Sequence, residues 1–123
     1  MALGDSTMED VQKLYAMVIG AVLALVVVLG FFMNPILGLL GVNLYQNILH
    51  VVGGALGLWL GNSGNGKSFN MWLGIVSAVA AVLGFIPVTS ALLASWLGIN
   101  MGITVLHAAI ALVSLGVAYG IKE

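Results

Sequence analysis

The sequence predicts an all-α integral membrane protein, a four-transmembrane-helix bundle built from two tandem helical hairpins that form a parallel internal repeat. Three observations predict it. Of the 123 residues 62% are hydrophobic and only 6% are charged, whereas a soluble domain carries about 25% charged residues. Four uncharged stretches, 14–33, 44–61, 69–86 and 101–121, each approach the roughly 20 helical residues that cross a bilayer. The second half of the chain also repeats the first.

The first stretch follows Ser6, Thr7, Met8 and Glu9, a capping-box spacing in which the serine hydroxyl and the glutamate satisfy each other's free backbone donors. Helix one is expected to begin near Thr7. No positively charged segment precedes it and its apolar run is too long for a cleaved signal peptide, so an uncleaved span is expected. The connections 34–42 and 87–99 are apolar and uncharged, broken by Pro35 and Pro87, and are expected as loops lying along the membrane surface. Between spans two and three lies the polar turn 62–68. Lys13, Lys67 and Lys122 all fall on one side of a four-span topology, and lysine excess marks the cytoplasmic face. Both termini are expected in the cytoplasm, at a prokaryotic cytoplasmic membrane. Trp59, Trp72 and Tyr119 fall near the inner ends, Tyr45 and Trp96 near the outer ones, as interfacial aromatics do.

The repeat has two parts. Residues 41–44 and 48–50 match 98–101 and 105–107 at a constant offset of 57, and Met17, Gly20, Ala24 and 28–31 match Met71, Gly74, Ala78 and 82–85 at an offset of 54. A second loop longer by three residues absorbs the difference. The units are 7–61 and 69–121, within a single membrane domain. Each holds two spans, so both point the same way and a pseudo-twofold axis along the membrane normal is expected. Equivalent residues then sit at equal depth.

On span two, Asn43, Asn47, His50, Gly54, Gly57 and Gly61 recur at steps of four and three, one stripe on one helical face. Span four repeats it with Asn100, Thr104, His107, Ala111, Ser114 and Ala118. Gly53, Gly57 and Gly61 form a doubled small-residue motif that lets helices approach closely where lipid supplies no hydrophobic push. This is the expected seam of the bundle. Asn43 and Asn100 are expected to cap their helices. His50 and His107 are ionisable groups inside spans, and such groups face the bundle interior or a cavity. They are expected to act as an interhelical polar clamp, with no cofactor. The alternative is axial ligation of a chlorophyll-type pigment or haem b, with Gly53 and Gly54 clearing room for the macrocycle. A second alternative is a small-solute or proton pathway.

The turn 61–68, Gly-Asn-Ser-Gly-Asn-Gly-Lys-Ser, has the letters of a phosphate-binding loop, but that loop links a strand to a helix. Here it joins two helical stretches, so no nucleotide is expected. Three lysines and no arginine leave no basic patch for nucleic acid. The carboxylates Asp5, Glu9, Asp10 and Glu123 are terminal, and two histidines do not complete a zinc site. No enzyme is expected.

The segment Asn43-x6-His50 followed by Val51, Val52, Gly53 and Gly54, with its copy Asn100-x6-His107, resembles a family of small tetraspan bacterial and archaeal membrane proteins. That family is catalogued as a domain of unknown function. The resemblance runs from about Leu14 to Gly120. It implies a four-span fold, a membrane location and no established activity. In the second unit Ile110 and Ala111 stand where the first has Gly53 and Gly54, a departure from a symmetric pocket. The expected function is that of a small non-enzymatic element of a membrane assembly, in contact with the lipid bilayer and forming a homo-oligomer or part of a larger complex.

Overall fold

The computed structural model describes residues 3–33, 36, 38 and 40–121, with side chains from residue 10 onward. Five helices follow one another: α1 (Leu3–Phe32), α2 (Leu44–Asn62), α3 (Gly66–Phe85), α4 (Pro87–Leu97) and α5 (Met101–Gly120). Among the described residues the only extended pairing is an isolated antiparallel bridge between Ile36 and Leu40.

Helix α1 begins at Leu3 rather than near Thr7. Asp5 falls in its first turn, where negative charge favours a helix N-terminus, so a start before Thr7 is supported. The Ser6–Glu9 capping box concerns side chains outside the described residues, as do Pro35 and Lys122. Asn43 and Asn100 cap α2 and α5. Their side-chain oxygens accept from the backbone N–H of Gln46 at 3.0 Å and of Ile103 at 3.0 Å.

The segment after Pro87 corrects the sequence expectation, because it is the helix α4 and not a loop. Proline is tolerated in a first helical turn, where its missing N–H would be unpaired anyway, and Ala91, Leu92, Leu93 and Ala94 are good helix formers. The Thr89 hydroxyl donates to the carbonyls of Leu83 and Ile86 across the α3–α4 junction. Gly98, at φ 68°, ends α4 in the left-handed conformation that glycine adopts without strain. In the shorter connection Ile36 and Val42 are each 1% exposed, while Gly38 stays exposed.

Helices α1 and α2 form one antiparallel hairpin. Gly20 lies against the backbone of Gly54 and Leu58, Gly30 against the Asn47 amide, and Gly61 against Ala16 and Met17. Helices α3 and α5 form the other, with Gly74 against Leu115 and Gly84 against Thr104. The hairpins meet mainly along α1, α3 and α2, while α2 and α5 make no close backbone approach. At one end Gly66 abuts the Gln12 backbone, and at the other Gly41 abuts Gly98.

Among the described residues three helical segments are long and apolar enough to cross a membrane: Asp10–Phe32, Gly66–Phe85 and Met101–Gly120. The sequence expectation was four; α2 falls outside the set because Gln46, Asn47 and His50 lower the mean hydropathy of its first turns. The surface is apolar, with Leu25, Val28, Phe31, Val79, Val82, Leu112 and Val113 all exposed. The interior is built largely of small and polar groups, and Gln12, Asn70, Thr104 and Ser114 are each at most 1% exposed.

Candidate functional site: the polar seam

The stripe on α2 is the face turned inward. Asn47, Gly54, Gly57 and Gly61 are buried, whereas Asn43, His50 and Gly53 are half-buried. On α5, Thr104, Ala111, Ser114 and Ala118 are buried, His107 is half-buried and Asn100 exposed. Gly54 and Gly57 are tightly covered, and Gly53 is in ordinary contact. A Cβ at Gly54 would lie 3.0 Å from the Gly20 carbonyl, one at Gly57 3.0 Å from the Ala16 carbonyl, and one at Gly53 3.5 Å from the Leu23 side chain. The space beside Gly53 and Gly54 is therefore filled by α1.

Cross-helix hydrogen bonds cluster at the two ends of this seam. At one end the Gln12 amide donates to the carbonyls of Val117 at 2.8 Å and Ile121 at 3.0 Å. Asn70 in turn donates to the Gln12 side-chain oxygen at 2.9 Å and to its backbone carbonyl at 3.1 Å. Carbonyls at a helix C-terminus run short of intrahelical partners, and although that of Val117 also accepts from the Ile121 N–H, this pair of amides ties α1, α3 and the end of α5 together. One turn further along α1, the Tyr15 and Ser114 hydroxyls share a 2.6 Å hydrogen bond. At the other end Gln46 donates to the carbonyls of Gly41 at 2.9 Å and Leu97 at 2.7 Å, and Asn43 donates to that of Trp96 at 2.8 Å.

The histidines do not supply the bond expected of them. The buried Nδ1 atoms of His50 and His107 both lack a hydrogen-bond partner, as do Gln46 Oε1, Asn47 Oδ1 and Asn70 Oδ1. The clamp between helices is carried by Gln12, Asn70, Tyr15, Ser114, Gln46 and Asn43 instead. A side-chain amide reaches two carbonyls at once, which an imidazole with a single N–H cannot.

Gln12, Tyr15, Gln46 and Asn70 were not singled out from the sequence. Under the offset of 54, Gln12 aligns with Gly66, Tyr15 with Phe69 and Asn70 with Ala16, so a search for matching residues passes over them. Their signal was a polar residue within or beside a long apolar run. The turn 61–68 links α2 to α3, with Lys67 and Ser68 inside the first turn of α3 and no preceding strand. Among the described residues no three side chains form a metal-ligating group.

A family model, DUF4383, described as a domain of unknown function, matches residues 13–120. The chain belongs to the DUF4383 family. The match covers α2 through α5 entire and most of α1, so the seam lies inside the DUF4383 domain except for Gln12 just before it and Ile121 just after it. No curated protein and no solved structure matches the chain. As a DUF4383 member with mostly apolar helices, it is compatible with a small membrane protein.

Proposed function

We propose that the protein is a four-span integral membrane protein of a prokaryotic cytoplasmic membrane, with both termini in the cytoplasm. In this reading it is a non-enzymatic structural or accessory element of a membrane assembly, either a homo-oligomer or part of a larger complex. The observation that carries it is where polarity goes. Interior polar side chains are spent on joining helices, as in Gln12 to Val117 and Ile121 and Tyr15 to Ser114, while the outer surface is apolar. A large exposed apolar surface is solvated by lipid or by partner helices.

Helix α2 supplies the fourth span. Its 19 residues extend about 28 Å at 1.5 Å per residue, and Gln46 and Asn47, which lower its hydropathy, are turned inward at 2% and 3% exposure. The parallel repeat draws support from matched contacts. Gly20 meets Leu58 as Gly74 meets Leu115, and Gly30 meets Asn47 as Gly84 meets Thr104, at the offsets read from the sequence. Crosslinking in native membranes followed by native mass spectrometry tests the role. Dimers, higher species or a stable partner are expected; a bare monomer across mild detergents overturns it.

A tetrapyrrole carrier is the second reading, favoured by the unpaired Nδ1 atoms of His50 and His107. It is weakened by α1, which covers the Gly53 and Gly54 face where a macrocycle would lie. Protein from its native host is expected to show no Soret-like absorption band; a stoichiometric band lost on replacing either histidine promotes this reading.

A further inference from the structure

Helix α4 is too short to cross a bilayer, its 11 residues extending about 16 Å at 1.5 Å per residue, and none of them is buried. Its last turn is fastened to the start of α2. The carbonyl of Trp96 accepts from the Asn43 amide at 2.8 Å and that of Leu97 from the Gln46 amide at 2.7 Å, and Gly98 brings the backbone directly against Val42. Between the two helices lies a groove of about 590 Å³, lined by Asn43, Tyr45, Ile48, Leu49, Ser95 and Trp96.

The lining restricts the occupant. It holds no charged residue, and Lys13 and Lys67 lie at the opposite end of the bundle, where Gly66 abuts Gln12 and Lys13. A free carboxylate, a phosphate or a charged peptide finds no counter-charge inside the groove. The α4 wall is the single turn from Ser95 to Leu97, too short to pair along its length with a partner helix, whereas a narrow flexible chain needs no more. Along α2 the other wall runs on from Ile48 into Val52 and Leu56, exposed residues one turn apart, so the groove opens onto the apolar outer surface. Tyr45 and Trp96, 67% and 66% exposed, carry an apolar ring with a polar tip, and such aromatics mark the boundary between lipid headgroups and chains.

We propose that this groove holds one acyl chain of an outer-leaflet bilayer lipid, with the uncharged ester region of that lipid beside Tyr45 and Ser95 and its headgroup in water. The site rests on the membrane reading above and deepens it by assigning a fixed position to one lipid. Because lipid tails are as apolar as the side chains that receive them, the preference for the groove comes from packing rather than from burial. Enrichment over the surrounding lipid is therefore several-fold rather than absolute.

The test is photo-crosslinking of the full chain in phosphatidylcholine vesicles containing a small fraction of the same lipid with a diazirine in its acyl chain, the adducts being mapped by mass spectrometry. Adducts on Ile48, Leu49 and Trp96 are expected to exceed several-fold those on Leu25, Leu112 and Val113, which are also exposed, on α1 and α5. Ser95→Trp places a large side chain in the groove, leaves the backbone bond from Asn43 to Trp96 available, and is expected to bring the two sets level. Equal labelling of both sets in the unaltered chain, or enrichment that survives Ser95→Trp, overturns the lipid site and leaves the membrane reading standing. Labelling of neither set overturns both. A disulfide-linked dimer formed on oxidation of Ser95→Cys in the same vesicles assigns the groove to a second copy and overturns the lipid site as well.

Discussion

The hydroxyls of Tyr15 on α1 and Ser114 on α5 lie 2.6 Å apart and join the first hairpin to the second. The repeat-related pair, Phe69 on α3 and Gly57 on α2, meets through the tip of the phenyl ring, so the same crossing is polar once and apolar once. The hairpins are thus held unequally at matched positions. Replacing Tyr15 by Phe turns the polar crossing into a copy of the apolar one. Membrane hydrogen bonds average about 0.6 kcal/mol and reach about 1.7 kcal/mol, so Tyr15→Phe is expected to lower stability by that order without preventing assembly. A cycle with Ser114→Ala, followed by thermal unfolding, should show the two effects to be non-additive.

The α1–α2 contact leaves no room at Gly20, where a Cβ would lie 2.9 Å from the backbone of both Gly54 and Leu58. Gly20→Ala is expected to force the helices apart and cost about 1–3 kcal/mol, the usual range for overpacking. Gly116 has nothing within 4 Å, so Gly116→Ala is expected to be neutral or slightly stabilising, since alanine is the better helix former. Melting temperatures that fall equally in both variants would sink the assignment of Gly20 to the contact.

Gln12 closes the C-terminal end of α5 through Val117 and Ile121. Replacing it by Leu removes the side-chain donor to both carbonyls, leaving Val117 only the N–H of Ile121 and Asn70 only the residue-12 backbone carbonyl, at a cost of about 1–3 kcal/mol for the partners lost in a buried site. Amide exchange should speed up first in the last turn of α5 and leave its first turn protected. Uniform loss of protection along α5 would argue for a global rather than a local role.

The chain has no cysteine, so single cysteines report topology cleanly. Cysteine at Ser63, between α2 and α3, is expected to react with an impermeant reagent only after the membrane is opened. Cysteine at Ser90 in α4 should react from outside. Labelling of Ser63 from outside, with Ser90 reached only after the membrane is opened, would show that α2 does not cross and would leave three spans.

Local periodicity made the seam readable from the sequence. The faces of α2 and α5 follow from small and polar residues at steps of three and four, and the caps Asn43 and Asn100 follow from short polar side chains just before apolar runs. Each depends on neighbours within one or two helical turns. The start of α1 and the state of the 87–99 segment differ from the sequence reading for a related reason. A proline or a capping pattern marks where a helix can start, while the surrounding propensities decide whether it does.

By itself the sequence determined that the chain is helical and apolar, where its main turns fall and which stripe of α2 and α5 carries small groups, because these are properties of composition and of a 3.6-residue period. Tertiary structure alone decided which polar groups meet. Gln12 finds Asn70 58 residues away and Tyr15 finds Ser114 99 residues away, pairings that no local pattern encodes and that the repeat conceals because their counterparts are Gly66, Ala16, Phe69 and Gly57. It also decided that His50 and His107 keep their Nδ1 atoms unpaired. Whether a buried ring finds a partner depends on the angle and spacing of whole helices, which small residues at Gly20, Gly54 and Gly74 set by letting backbones touch.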